Sequence, residues 1–151
     1  MPLQTADEDV IDTALSTFVI CLFQVIGSVP QIVAFPGDDV ILPCVVEPPI
    51  SILGLTVEWS RPNQQCDPDD RPGTVRYVHL YWDSRKVQDM MLSSYLQRAK
   101  LSKNGLSRGN ISLKIMKVTL DDDGRYKCFI PQLKGKRKSS TVRLVVVDKN
   151  W

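Results

Sequence analysis

The sequence predicts an all-β domain built as a two-sheet antiparallel sandwich. Three observations carry that expectation. Short stretches of alternating apolar residues recur with turn residues between them, and no long helical period follows residue 30. Cys44 and Cys128 stand far apart in the chain with Trp59 between them. The second cysteine closes the run Asp122-Asp123-Gly124-Arg125-Tyr126-Lys127-Cys128, which reads D-x-G-x-Y-x-C. Each part has a mechanical use in a sandwich: the cysteines staple sheet to sheet, the indole fills space against the sulfurs, and the tyrosine hydroxyl pins the corner before its own strand.

A Cys…Trp…Cys frame with a tyrosine two residues before the second cysteine is the signature of an immunoglobulin sandwich, which needs about 100 residues. The 151 residues suggest one domain. Residues 1–28 read as a signal peptide. Thr13 to Gly27 is mostly apolar but shorter than the ~20 residues a membrane-spanning helix requires. Val25, Gly27 and Ser28 offer small residues for cleavage near 27–28. The acidic start (Asp7, Glu8, Asp9 and Asp12) departs from the usual basic one. A wrong upstream start codon accounts for that, and an uncleaved signal anchor is the alternative. The domain proper is placed at 29–148, with 149–151 as a tail. No second apolar segment follows Cys128, so the chain as written is expected to be soluble or a truncated ectodomain. Loss of the four leading carboxylates would move the formal charge from +2 to +6. That is modestly basic and favours anionic surfaces, but it is not a nucleic-acid footprint.

The elements follow in order. Gln31–Ala34 is a first edge strand, closed by the turn Phe35-Pro36-Gly37-Asp38. Val40, Leu42, Cys44 and Val46 alternate inward until Pro48-Pro49. Leu55, Val57 and Trp59 alternate on the next strand, and a polar loop runs from Pro62 to Thr74. Val75 to Trp82 reads as a strand with large residues on both faces, turned back by Asp83-Ser84-Arg85-Lys86. Residues 87–97 fit either a short edge strand or a loop. Alternation resumes at Ile111, Leu113 and Ile115, then at Tyr126, Cys128 and Ile130. A hairpin turn at Leu133-Lys134-Gly135-Lys136 leads to Val142, Leu144 and Val146. Eight or nine strands result, and the extra pair between Trp59 and Arg98 marks a variable-type rather than constant-type domain.

Several residues stand out chemically. Arg98 and Asp122 are expected to pair and close the bottom of the sandwich. Asn110-Ile111-Ser112 is an N-x-S sequon, hence a glycan site or a plain polar turn. The disulfide expected between Cys44 and Cys128 is useful only in an oxidising compartment. Cys66 is left over in a loop too polar to be core. It suggests an intermolecular disulfide, a partner lost with missing sequence, or an unpaired thiol. Tyr77, His79 and Tyr81 are expected to share one face of their strand with Trp82 on the other. They serve as interface anchors, or as core filling where they point inward. Lys134, Lys136, Arg137 and Lys138 put four cations at one hairpin, fit for anionic glycans, an acidic protein patch, or solvent. His79 is the only histidine and cannot assemble a metal site or triad. The carboxylates Asp121, Asp122 and Asp123 suit the turn before the tyrosine corner better than calcium. With no nucleophile–base pair, metal cluster or phosphate loop, neither catalysis, a cofactor nor a small-molecule substrate is expected.

Residues 31–148 resemble the amino-terminal variable-type domain of the butyrophilin and myelin-oligodendrocyte-glycoprotein family. The matching segments are Phe35 to Cys44, Val57-Glu58-Trp59-Ser60-Arg61-Pro62, Val78-His79-Leu80-Tyr81, Tyr95-Leu96-Gln97-Arg98 and Asp122 to Phe129. The resemblance implies a cell-surface protein, outside the plasma membrane, that binds a receptor on another cell such as a leukocyte. It implies regulation of T-cell receptor signalling and cytokine production. Homophilic adhesion or structural pairing is the alternative. The Cys66 loop departs from the family's short turn.

Overall fold

The computed structural model describes residues 23–148 apart from 65, 83, 84, 134 and 136. Two layers of strands enclose one core. The larger layer is a six-stranded sheet of β2 (Gln31–Ala34), β11 (Ser139–Val146), β10 (Gly124–Phe129), β5 (Val57–Ser60), β6 (His79–Trp82) and β7 (Arg85–Lys86), in that spatial order. The smaller layer holds β3 (Val40–Leu42), β9 (Leu113–Ile115) and β8 (Ala99–Leu101). It is continued by β1 (Gln24–Ile26) paired with β4 (Val45–Glu47). Pairing is antiparallel except between β2 and β11, which run parallel.

The alternation in the sequence drives this layering. Val57, Trp59, Tyr126, Cys128, Val142 and Leu144 turn inward from the large sheet. Leu42, Cys44, Val46, Leu113 and Ile115 meet them from the small one. The Cys44–Cys128 disulfide joins the layers across a sequence separation of 84. Trp59 is fully buried, and its indole Nε1 donates to the Ile111 carbonyl at 2.8 Å. A buried indole thus packs in the core without leaving its one donor unpaired.

Ahead of the expected boundary at residue 29, Val25 is fully buried and β1 pairs with β4, Val25 opposite Val46. Two expectations are corrected. Residues 1–22 of the expected signal segment lie outside the described residues, as does the 149–151 tail. Residues 87–97 are neither strand nor plain loop but carry two 3-10 turns, Gln88–Met90 and Ser93–Tyr95. The strand expected over 75–82 is regular only from His79. Val78 donates its amide to the Trp59 carbonyl while His79 is the residue paired with Trp59. Two residues therefore oppose one, the geometry of a β-bulge. A short helix, α1 (Lys103–Leu106), is capped by the Ser102 hydroxyl.

Candidate functional site

The frame beneath the site is a chain of hydrogen bonds at the bottom of the sandwich. Arg98 holds Asp122 with both guanidinium nitrogens, at 2.8 and 3.0 Å. Burial works to raise the Asp122 carboxyl, but Arg98 and the Thr119 amide outweigh it and hold the group below its usual range. Arg61 donates to the Tyr95 hydroxyl at 2.9 Å, and Tyr95 lies 2.8 Å from the Tyr126 hydroxyl. Tyr126 donates in turn to the Asp122 carbonyl at 2.6 Å, the expected tyrosine corner. Because Tyr126 spends its proton on that carbonyl, Tyr95 must be the donor between the two hydroxyls. Arg61 also reaches the carbonyls of Asp121 and Asp123 and lies 5.1 Å over the Tyr126 ring. Gly124 leaves room for it: a Cβ there would stand 2.8 Å from the Arg61 Nη2, at a φ of +145°. The glycine of D-x-G-x-Y-x-C is thus required twice, by its backbone and by the arginine above it. Sequence reasoning missed Arg61 and Tyr95 as members of this network.

The frame displays the outer face of the large sheet. Residues flanking the inward Trp59 and Cys128 point out by strand alternation, which sets Glu58, Ser60, Lys127 and Phe129 on this face. The expected grouping of Tyr77, His79 and Tyr81 as one outward docking face is corrected here. His79 pairs with Trp59 and Tyr81 with Val57, and paired residues share a face. Both therefore point inward, at 4% and 5% exposure. The Tyr81 hydroxyl donates to the Leu53 carbonyl at 2.7 Å. Burial, with help from the Lys86 ammonium, pushes the His79 imidazole down to about 4. The bulge at Val78 breaks the parity, so Tyr77 does reach the outer side, where it hydrogen-bonds Glu58. Trp82, next along the same strand, is exposed, with 54% of its surface open.

The outer face therefore carries Tyr77, Leu80, Trp82 and Phe129 as its apolar members. Lys127 and Lys138 hold their ammonium groups 5.3 and 5.6 Å from the Phe129 ring centroid. Burial lifts the Glu58 carboxyl above its ordinary value, against the Tyr77 hydroxyl and the Lys127 charge. A hollow of about 220 Å³ opens between Glu58, Tyr77, Lys127 and Phe129. That is below the ~300 Å³ of a small-ligand pocket and suits a single protruding side chain.

The remaining predicted residues are scattered. Arg137 is exposed and Lys138 borders Phe129, whereas Lys134 and Lys136 lie outside the described residues. Asn110 is exposed, and its Oδ1 accepts the Ser112 amide at 3.0 Å. Cys66 is exposed as a free thiol. Its loop is tied down on both sides: Asp70 pairs with Arg76, and Asp67 accepts the Ser93 amide at 3.2 Å.

The stapled sandwich, its tyrosine corner and its bottom ion pair define an immunoglobulin-type domain. The description "Immunoglobulin V-set domain" matches residues 30–147, and the chain belongs to that family. Its relatives include myelin-oligodendrocyte glycoprotein of Macaca fascicularis, 34% identical over 71% of this chain and 39% of that protein. Selection and upkeep of intraepithelial T-cells protein 4 of Mus musculus is 33% identical over 70% of this chain and 20% of that protein. The solved structure of bovine butyrophilin superposes with a TM-score of 0.67 at 26% identity, over 84% of this chain and 55% of that one. The chain thus spans only a fifth to two fifths of these curated relatives. Such V-set proteins are non-enzymatic receptor or ligand modules, extracellular or at the cell surface. Among the described residues no helix is long and apolar enough to cross a membrane.

Proposed function

We propose that this domain is a trans-acting ligand or receptor module that docks a protein on the outer face of the six-stranded sheet, and that the partner is a receptor on leukocytes. The observation that carries this is the exposure of Trp82 on the sheet face that also bears Leu80, Tyr77 and Phe129, the last two grouped with Glu58 and Lys127, and Lys138 beside Phe129. Interface centres favour an aromatic anchor ringed by polar groups. Regulation of T-cell receptor signalling and cytokine output is the biological role we assign. Its support is likeness to a relative whose name is selection and upkeep of intraepithelial T-cells. Arg137 and Lys138 extend the face toward anionic partners, including acidic glycans. Staining of leukocytes with the tagged domain tests the reading. Trp82→Ala and Phe129→Ala should each weaken staining by roughly tenfold or more, as hot-spot residues do. Unchanged staining by both variants rejects the face.

A second reading, self-association, is favoured by the exposed Cys66 thiol on its tethered loop. Sedimentation with and without reductant tests it. A monomer in both conditions rejects the homophilic and the disulfide-linked forms together. We also propose that Asn110, exposed at the start of its sequon, carries a glycan when the chain is secreted.

A further inference from the structure

The two sheets of the sandwich do not close against each other at one edge. Between β7, which ends the larger sheet, and β8, which ends the smaller, lies a cavity of about 490 Å³. That volume is within the ~300–1,000 Å³ range of small-molecule sites. Tyr81 and Ala99 reach its floor from between the layers, whereas Arg85, paired with Trp82, stands where the cavity meets the outer face. Its floor is apolar: the Tyr81 ring, Ala99 and Leu106. Its rim is cationic, carrying Arg85, Lys86, Lys100 and Lys103, and among the described residues no carboxylate lines it.

The lining sets a shielded imidazole beside a pinned ammonium. His79 lines it while 96% of its surface is shielded, and its Nδ1 is buried with no hydrogen-bond partner among the described residues. Lys86 donates to the Leu96 carbonyl at 2.7 Å, which pins its ammonium at the rim. Burial and then the charge on Lys100 both act against the protonated form of Lys86. An anion placed between these amines would relieve that crowding.

We propose that this cavity binds a small amphipathic anion, its apolar body on Tyr81, Ala99 and Leu106 and its carboxylate, sulfate or phosphate group among Lys86, Lys100 and Lys103. The anionic group supplies orientation and the chain supplies most of the affinity, since apolar surface dominates the floor.

Titration followed by NMR of the His79 ring protons tests the proposal. Decanoate and decyl sulfate are the probes, with inorganic sulfate and octyl glucoside as the controls that separate the charged head from the apolar tail. A saturable shift of the His79 signals with either amphipathic anion is expected, and a much weaker response to both controls. Lys100→Glu/Lys103→Glu, at two exposed positions, should weaken binding roughly tenfold or more, as two reversed charges at short range require. A melting curve confirms that the double variant folds. The proposal is overturned by any of three results: no saturable His79 shift, equal binding of octyl glucoside, or undiminished binding by the folded double variant. Binding of inorganic sulfate as tight as that of decyl sulfate also overturns it, since the floor would then contribute nothing.

Discussion

Replacing Asp122 or Arg98 by alanine separates the two halves of the bottom ion pair, and the structure predicts that they are unequal. The Asp122 side chain is 3% exposed and that of Arg98 is 23%. Without Asp122, the guanidinium still faces water and the carbonyls of Ser94, Met116 and Lys117. Removing one partner of a buried pair costs about 3–5 kcal/mol. Asp122→Ala belongs near the lower end, about 3 kcal/mol, plus about 1 kcal/mol for the lost cap on the Thr119 amide. Arg98→Ala leaves a carboxylate stranded in the interior and belongs at the upper end, about 5 kcal/mol at neutral pH. The second deficit depends on pH. In the native protein Asp122 titrates below its ordinary 3.8, so its stabilisation is present above that value and is lost as pH falls through the folded pKa. Once Arg98 is gone, burial, the largest influence on Asp122, dominates and the carboxyl titrates higher. The deficit of Arg98→Ala should therefore shrink between neutral pH and about pH 4, while that of Asp122→Ala should not. Urea unfolding followed through the fluorescence of Trp59, with the double variant closing the cycle, measures all of this. Single deficits that simply add, with coupling under about 0.5 kcal/mol, would refute the reasoning. So would a pH-independent Arg98→Ala.

Three further outcomes follow from the same geometry. Gly124→Ala should lower stability by about 1–3 kcal/mol in urea unfolding, because it adds a positive-φ penalty to a collision with Arg61. Reducing the Cys44–Cys128 bond should lower stability by about 4–5 kcal/mol on the chain-entropy account of a loop this long. Comparison of melting with and without reductant reads the loss directly. A chain refolded from residue 23 should be more stable than one from residue 29 by about 2 kcal/mol, the worth of burying Val25. Equal stability would leave the start of the domain at the position expected from the sequence.

The frame was readable in the sequence because each of its members acts through local chemistry. Cys44, Trp59, Tyr126 and Cys128 each sit on a strand whose alternation states which way they point. The pairing of Arg98 with Asp122 was expected from the likeness to variable-type domains, and the structure shows it. Arg61 and Tyr95 were hidden for the opposite reason. Arg61 lies just past the end of β5, beyond the reach of alternation, and its role depends on the space left by Gly124 some sixty residues later. β1 was not expected from the sequence because its three residues fall inside a longer apolar run, where alternation gives no separate signal.

The docking face shows how one residue of register reassigns a surface. A strand assumed regular from Val75 to Trp82 has to put Tyr77, His79 and Tyr81 on one side. The bulge opposite Trp59 adds a residue, so Tyr77 stays outside while His79 and Tyr81 turn into the core. A safer inference was available by counting from the other strands. Trp59 and Cys128 must face the core in any such sandwich, so Glu58, Lys127 and Phe129 must face away from it. Trp59 pairs with His79, so residues alternating from His79 rather than from Tyr77 decide the parity, and Trp82 comes out exposed. The same shift turns His79 from a surface anchor into a shielded imidazole at the open seam between the sheets. One inserted residue thus moves the candidate partner contact to Trp82 and gives the chain's single histidine an interior environment that a surface role could not.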